Sequence, residues 1–120
     1  MGKPHHKLDV WKRSLSFVTN IYKMTSKFPN EEKFGLVSQM RRAAVSVPSN
    51  ISEGAARNSR KAFINFLHIA QGSVAELETQ ILISRNLGFI EPKKVEPLLQ
   101  ELDEISKMII GLQRSLKPPK

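Results

Sequence analysis

Cysteine is absent from the 120 residues. That excludes disulfides, iron–sulfur clusters, Cys-ligated zinc and thiol nucleophiles. Long apolar runs are absent as well: no stretch approaches the roughly 20 residues of a membrane span. The start, Met1 to Lys7, is short and basic, and the apolar residues after it are interrupted by Asp9, Lys12 and Arg13, so no signal-peptide core is present. A soluble cytoplasmic protein with no membrane partner is the expectation. Catalytic motifs are missing too. There is no Gly-x-x-x-x-Gly-Lys loop and no dinucleotide fingerprint. His5, His6 and His68 offer no His-x-x-x-His or Glu-x-x-His spacing for a metal. Glu76 and Glu78 stand two apart and point to different faces of a helix. The reading is therefore non-enzymatic, with no cofactor, no metal and no small-molecule substrate.

What the chain has in excess is positive charge. Nineteen Lys and Arg face eleven Asp and Glu, a net charge of +8. Residues 1–62 hold twelve of the basic and four of the acidic side chains, and residues 63–120 hold seven of each. The first half carries all the net charge, which fits an acidic partner, nucleic acid before membrane surface, as well as simple solubility.

Hydrophobic residues make up 40% of the chain, a folding composition for one domain. Periodicity near 3.6 predicts four helices, at about 9–27, 31–54, 59–86 and 92–116, preceded by a basic arm over 1–8 and followed by a frayed tail over 117–120. Asp9 is placed to cap the first helix. Trp11, Leu15, Val18, Tyr22 and Thr25 form its apolar stripe, widened by Ile21; Lys12, Lys23 and Lys27 read as solvated. Phe28-Pro29 ends it. Leu36, Met40, Ala43, Ala44, Val47 and Ile51 make the second stripe, with Pro48 a kink or a restart and Gly54 a stop. Phe63, Leu67, Ala70, Val74, Leu77 and Ile81 make the third, with Phe66, Ile69 and Ile83 widening it, and Gly88 closes the helix. Pro97 implies an irregular start to the fourth helix, whose Val95, Leu98, Leu102, Ile105, Ile109, Leu112 and Leu116 keep a strict three–four alternation. Short loops between four such helices give an all-α, antiparallel up-down-up-down bundle.

Two polar stripes stand out, Gln39, Arg42, Ser46, Ser49 or Asn50, and Glu53 on the second helix and Ser73, Glu76 and Gln80 on the third. If they meet, Arg42 pairs with Glu76 inside one chain or between subunits, and the stripes form either a binding face or a network that fixes helix register. Arg41 and Arg42 lie about 100° apart, so one is free to pair internally while the other faces out. Arg57, Arg60 and Lys61 cluster at the turn before helix three, where they oppose the local dipole and invite an anion. No aromatic is interleaved with them, so binding to phosphates is expected.

Several motifs resemble a known family. Lys7-Leu8-Asp9-Val10-Trp11 is similar to its opening. Ile21-Tyr22-Lys23-Met24-Thr25 with Phe28-Pro29 is similar to the end of its first helix. The block from Gly35 to Gly54, with Gln39-Met40-Arg41-Arg42-Ala43-Ala44-Val45-Ser46-Val47-Pro48-Ser49-Asn50 at its centre, resembles the family's most distinctive segment. Phe66-Leu67-His68-Ile69-Ala70-Gln71-Gly72-Ser73 and Glu76-Leu77-Glu78 resemble its third-helix signature. The family is that of the bacterial four-helix-bundle proteins encoded by intervening sequences in large-subunit ribosomal RNA genes. The likeness runs from about Lys7 to Leu116 and is weakest in helix four, where Pro97 departs from the pattern. It implies a ring-shaped homopentamer, and kinship with the accessory variability determinant of diversity-generating retroelements. That relative has a basic surface and binds nucleic acid and a reverse transcriptase. Arg41 and Arg42 are the basic positions that match the family block. Lys12, Lys23, Lys27, Arg57, Arg60 and Lys61 join them as candidate contacts from charge and spacing alone. The function expected is an oligomeric accessory protein that binds RNA or DNA/RNA, with a protein-interaction scaffold, for example one docking a reverse transcriptase, as the alternative.

Overall fold

The computed structural model describes residues 2–118. It contains four helices, α1 (Asp9–Thr25), α2 (Leu36–Ala55), α3 (Arg60–Asn86) and α4 (Pro92–Leu116), with short 3-10 turns at Pro4–Lys7 and Asn30–Glu32. No strand occurs among the described residues. Each helix packs on its chain neighbours, and α4 closes back on α1, so the four stand in a square in chain order. Cross-helix bonds give the direction, one number rising as the other falls: Ser73 reaches Ser46 and Ser84 reaches Met40, Gln71 reaches Ser106 and His68 reaches Gln113, and Arg41 at the start of α2 reaches Thr25 at the end of α1. Neighbours therefore run antiparallel in a body of 48 × 27 × 22 Å.

The centre is made by Ile21, Met40, Ile51, Leu67, Leu77, Ile81, Ile105 and Ile109, all fully buried. For α2, α3 and α4 these belong to the stripes the spacing predicts. On α1 the expected stripe is rotated. The buried line is Val10, Ser14, Phe17, Ile21 and Thr25, whereas Leu15 and Tyr22 are each 41% exposed. The two lines differ by one residue, about 100° of helix. Ser14 and Thr25 are tolerated inside because each hydroxyl donates to its own helix, to the Trp11 carbonyl at 2.9 Å and the Ile21 carbonyl at 2.7 Å.

Helix ends also differ in detail from expectation. Asp9 is the first residue of α1 rather than its cap, and its negative charge complements the positive end of the helix dipole from there. Asn30–Glu32 forms a separate 3-10 turn, and α2 begins only at Leu36. Pro48 neither ends nor restarts α2, which runs on to Ala55, and Asn50 donates back to the Ser46 carbonyl at 2.8 Å. Gly54 is not a stop but a point of close approach: a Cβ there would lie 2.8 Å from both Phe63 Cδ1 and Phe66 Cβ. Pro97 sits inside α4 without delaying its start at Pro92. Ser59 caps α3 by accepting from the Ala62 amide at 3.1 Å. Gly88, at φ 78°, closes α3, with the Gly88 and Phe89 amides donating to the Arg85 and Ser84 carbonyls. Pro119 and Lys120, the end of the expected frayed tail, lie outside the described residues.

Candidate functional site

Up-down-up-down topology brings the starts of α1 and α3 and the ends of α2 and α4 to one end of the square. The basic residues follow from that. Lys12 comes from the first turn of α1, Arg57 from the turn after α2, and Arg60 and Lys61 from the first turn of α3. The same end receives four cations outside the expected set: Lys3 and Lys7 from the arm, and Arg114 and Lys117 from the close of α4. All eight are exposed, and only Asp9 and Glu53 oppose them there. No acidic residue occupies the first turn of α3, so the positive end of that helix adds to the field. The four added cations are far from Arg57 in sequence. Counting helices, which places both termini beside the α2–α3 turn, is the signal that finds them.

Aromatic rings do sit among these charges, contrary to the expectation from sequence. The Pro4–Lys7 turn folds His5 and His6 onto Trp11, with ring centroids 4.7 and 5.3 Å from the indole. The Lys3 amide donates to His6 Nδ1 at 3.0 Å. His5 Nδ1 is buried without a partner. Desolvation, then the neighbouring His6 and Lys3 charges, hold the His5 pKa below the usual histidine value. Arg57 lies over the Phe66 ring at 5.1 Å.

The remaining candidates lie elsewhere. Lys23 and Lys27 are at the far end, where α1 closes and α4 begins, and border a cleft with Lys94. Arg41 is engaged within the fold. Its Nε donates to Thr25 Oγ1 at 3.0 Å, a terminal nitrogen donates to the Tyr22 carbonyl at 3.2 Å, and the guanidinium covers the Tyr22 ring at 4.5 Å. Arg42 faces out. Within one chain the Arg42–Glu76 ion pair does not form among the described residues. The polar stripes of α2 and α3 nonetheless meet. Ser73 donates to Ser46 Oγ at 2.8 Å, Gln80 donates to Glu76 at 3.3 Å, and Arg42 and Glu76 line one polar cleft of about 370 Å³. The arginine that the fold holds is thus Arg41, and the free one is Arg42. His68 is exposed and bonded across to α4, its Nδ1 3.1 Å from Gln113 Nε2.

Comparison with known proteins agrees with this architecture. Residues 6–111 match the family described as 23S rRNA-intervening sequence protein. A crystal structure of a protein of unknown function from the S23 ribosomal protein family of Bacteroides thetaiotaomicron VPI-5482 superposes with a TM-score of 0.78. It is 30% identical, over 88% of this chain and 95% of that one. A search of curated proteins finds no match.

Proposed function

The chain belongs to the family of 23S rRNA-intervening sequence proteins, and from that premise we propose that it is a non-enzymatic, oligomeric accessory protein that binds RNA, or mixed DNA/RNA, through phosphate contacts. One observation carries the reading: the fold gathers eight exposed cations from four separate segments at one end, against two carboxylates. Leaving such a cluster unpaired is unfavourable unless an anion relieves it, and the first turn of α3 already supplies a helix dipole of the same sign. Lys12, Arg57, Arg60 and Lys61 are the contacts, joined by Lys3, Lys7, Arg114 and Lys117. Arg42 adds an exposed charge on α2, while Arg41 serves the fold first. A homopentameric ring repeats the patch five times and raises affinity through multivalency without a new residue.

The binding experiment is a salt series with a structured RNA. Affinity falls linearly with log salt, with a slope that counts the phosphates neutralised. No binding at low salt, or a flat response, overturns the reading.

A second reading, a scaffold that docks a reverse transcriptase or another mobile-element protein, is favoured by the exposed apolar side chains Phe34, Ile69 and Leu87, at 90%, 53% and 56%. A protein recovered by pull-down from the host, resistant to nuclease and high salt, supports this reading over the first.

A further inference from the structure

The far end of the bundle is built differently from the basic end described above. The last turns of α1 carry Lys23 and Met24, and Lys27 follows; the start of α4 carries Lys94, preceded by Phe89, Ile90 and Glu91. Together they enclose a cleft of about 340 Å³. Its floor is apolar, since Ile90 is buried in the core and Met24 and Phe89 pack against that core while half-buried.

The fold fixes the Phe89 ring in two ways. The closing turn of α3 pins its backbone, because the Phe89 amide donates to the Ser84 carbonyl at 2.9 Å past Gly88. The Phe28 ring then packs beside it, with centroids 5.4 Å apart and planes 52° from parallel. Phe89 therefore reaches the cleft as an oriented aromatic wall, supported from behind by Phe28.

The rim is cationic. Lys23, Lys27 and Lys94 are exposed at its edge. Glu91 is the one carboxylate among the lining residues, and it is shared by Lys93 and Lys94, each at 3.6 Å. Lys23 and Lys27 have no carboxylate partner among the described residues. The first turn of α4 opens beside them and adds its partial positive charge.

An apolar floor with a flat ring, bounded by the ammonium groups of Lys23 and Lys27 that no carboxylate neutralises among the described residues, selects a ligand with a flat apolar body and an anionic group. A nucleoside phosphate has both. A carboxylate with an acyl chain shares the anionic contact and the apolar floor but lacks the flat ring that stacks on Phe89.

We propose that this cleft binds one unstacked nucleotide, its phosphate held by Lys23 and Lys27, away from the Glu91–Lys94 pair, and its base laid against Phe89. The inference is independent of phosphate binding at the opposite end of the 48 Å body. Free mononucleotides and the phosphorylated end of an RNA strand present the same chemistry to it.

The test is a titration of the full chain at low salt with AMP, with inorganic phosphate and with decanoate, followed by NMR shifts of the Met24 methyl and the Phe89 ring. AMP is expected to shift both signals and to bind about tenfold tighter than phosphate, the difference being base stacking. Phe89→Leu, which keeps an apolar side chain on Phe28, removes that tenfold preference and leaves phosphate binding as it was. Lys27→Glu weakens AMP about tenfold, whereas Lys107→Glu in the middle of α4 leaves it unchanged. An RNA pentamer with a 5′ phosphate displaces AMP if the site takes strand ends; retention of AMP assigns it to free nucleotides. Equal affinity for AMP and phosphate overturns the proposal, as does tighter binding of decanoate or an absence of shifts at Met24 and Phe89. Failure of the chain to bind structured RNA while AMP binds normally counts against the function proposed above and not against this cleft.

Discussion

Arg41 and Arg42 show how far a single peptide unit separates two roles. Arg41 spends its guanidinium on Thr25, the Tyr22 carbonyl and the Tyr22 ring, which ties α2 to α1. Arg42 is exposed with no such partners. Arg41→Ala should lower unfolding free energy by about 1–3 kcal/mol, since it removes charge-assisted bonds to the buried Thr25 hydroxyl. Arg42→Ala should change it by less than about 0.5 kcal/mol. Urea denaturation of the two variants gives the comparison, and equal destabilisation would remove the distinction. At the arm, His5 has its pKa lowered by desolvation and by the His6 and Lys3 charges. The sign follows: the folded arm favours the neutral ring, so packing on Trp11 is kept above the ordinary histidine value of about 6.5 and lost as pH falls below it. Trp11 is the only tryptophan, so its fluorescence reports the arm directly. Acidification from pH 8 to 5 should change the emission in the native chain and change it less in His5→Ala, where His6 still lies against the indole.

At the scale of elements, small residues separate into those the packing requires and those it does not. Gly54 of α2 faces Phe63 and Phe66 of α3, and a methyl group there meets two carbons at 2.8 Å. One of them is the Phe66 Cβ, which is unable to swing away. Gly54→Ala should therefore cost about 1–3 kcal/mol despite its better helix propensity. Gly72 of α3 has nothing within 4 Å of an added Cβ, and Gly72→Ala should stabilise by about 0.5–1 kcal/mol. Thermal unfolding of the pair checks both signs. The helices themselves were legible in sequence to different degrees. On α2 the buried stripe is the continuous apolar line, and on α4 it is so from Val95 to Ile109 before it closes on Gln113, so spacing identifies most of it. On α1 two lines lie side by side, and the buried one is interrupted by Ser14 while the more exposed one carries Trp11, Leu15, Val18 and Tyr22 without a break. Periodicity weighs side-chain apolarity and is blind to a hydroxyl bonded to its own helix, so it selects the wrong neighbour. The close approach at Gly54 was equally hidden, because it depends on the rotation of α3 against α2.

For the whole molecule, the property that matters is where chain topology puts charge. A concentration of positive charge in the first half was readable from the sequence. Its assembly needs the helix count as well, because Lys3, Lys7, Arg114 and Lys117 belong to the two ends of the chain and join Arg57, Arg60 and Lys61 only once four antiparallel helices return both ends to the same place. Lys23 and Lys27, which share the solvated stripe of α1 with Lys12 in sequence, part from it by the length of that helix. Assembly is checked separately by light scattering. The proposed ring gives about five times the 13.6 kDa protomer mass, and a monomer at micromolar concentration would refute it. Mutation of the arm end should leave that mass unchanged. The most direct measurement is the affinity of a structured RNA for the native chain and for Arg57→Glu with Lys61→Glu, across a series from low to physiological salt. The account predicts a steep negative dependence of log affinity on log salt for the native chain. For the double variant it predicts weaker binding and a slope shallower by roughly two. Identical curves for the two proteins, or a native curve without slope, would contradict it.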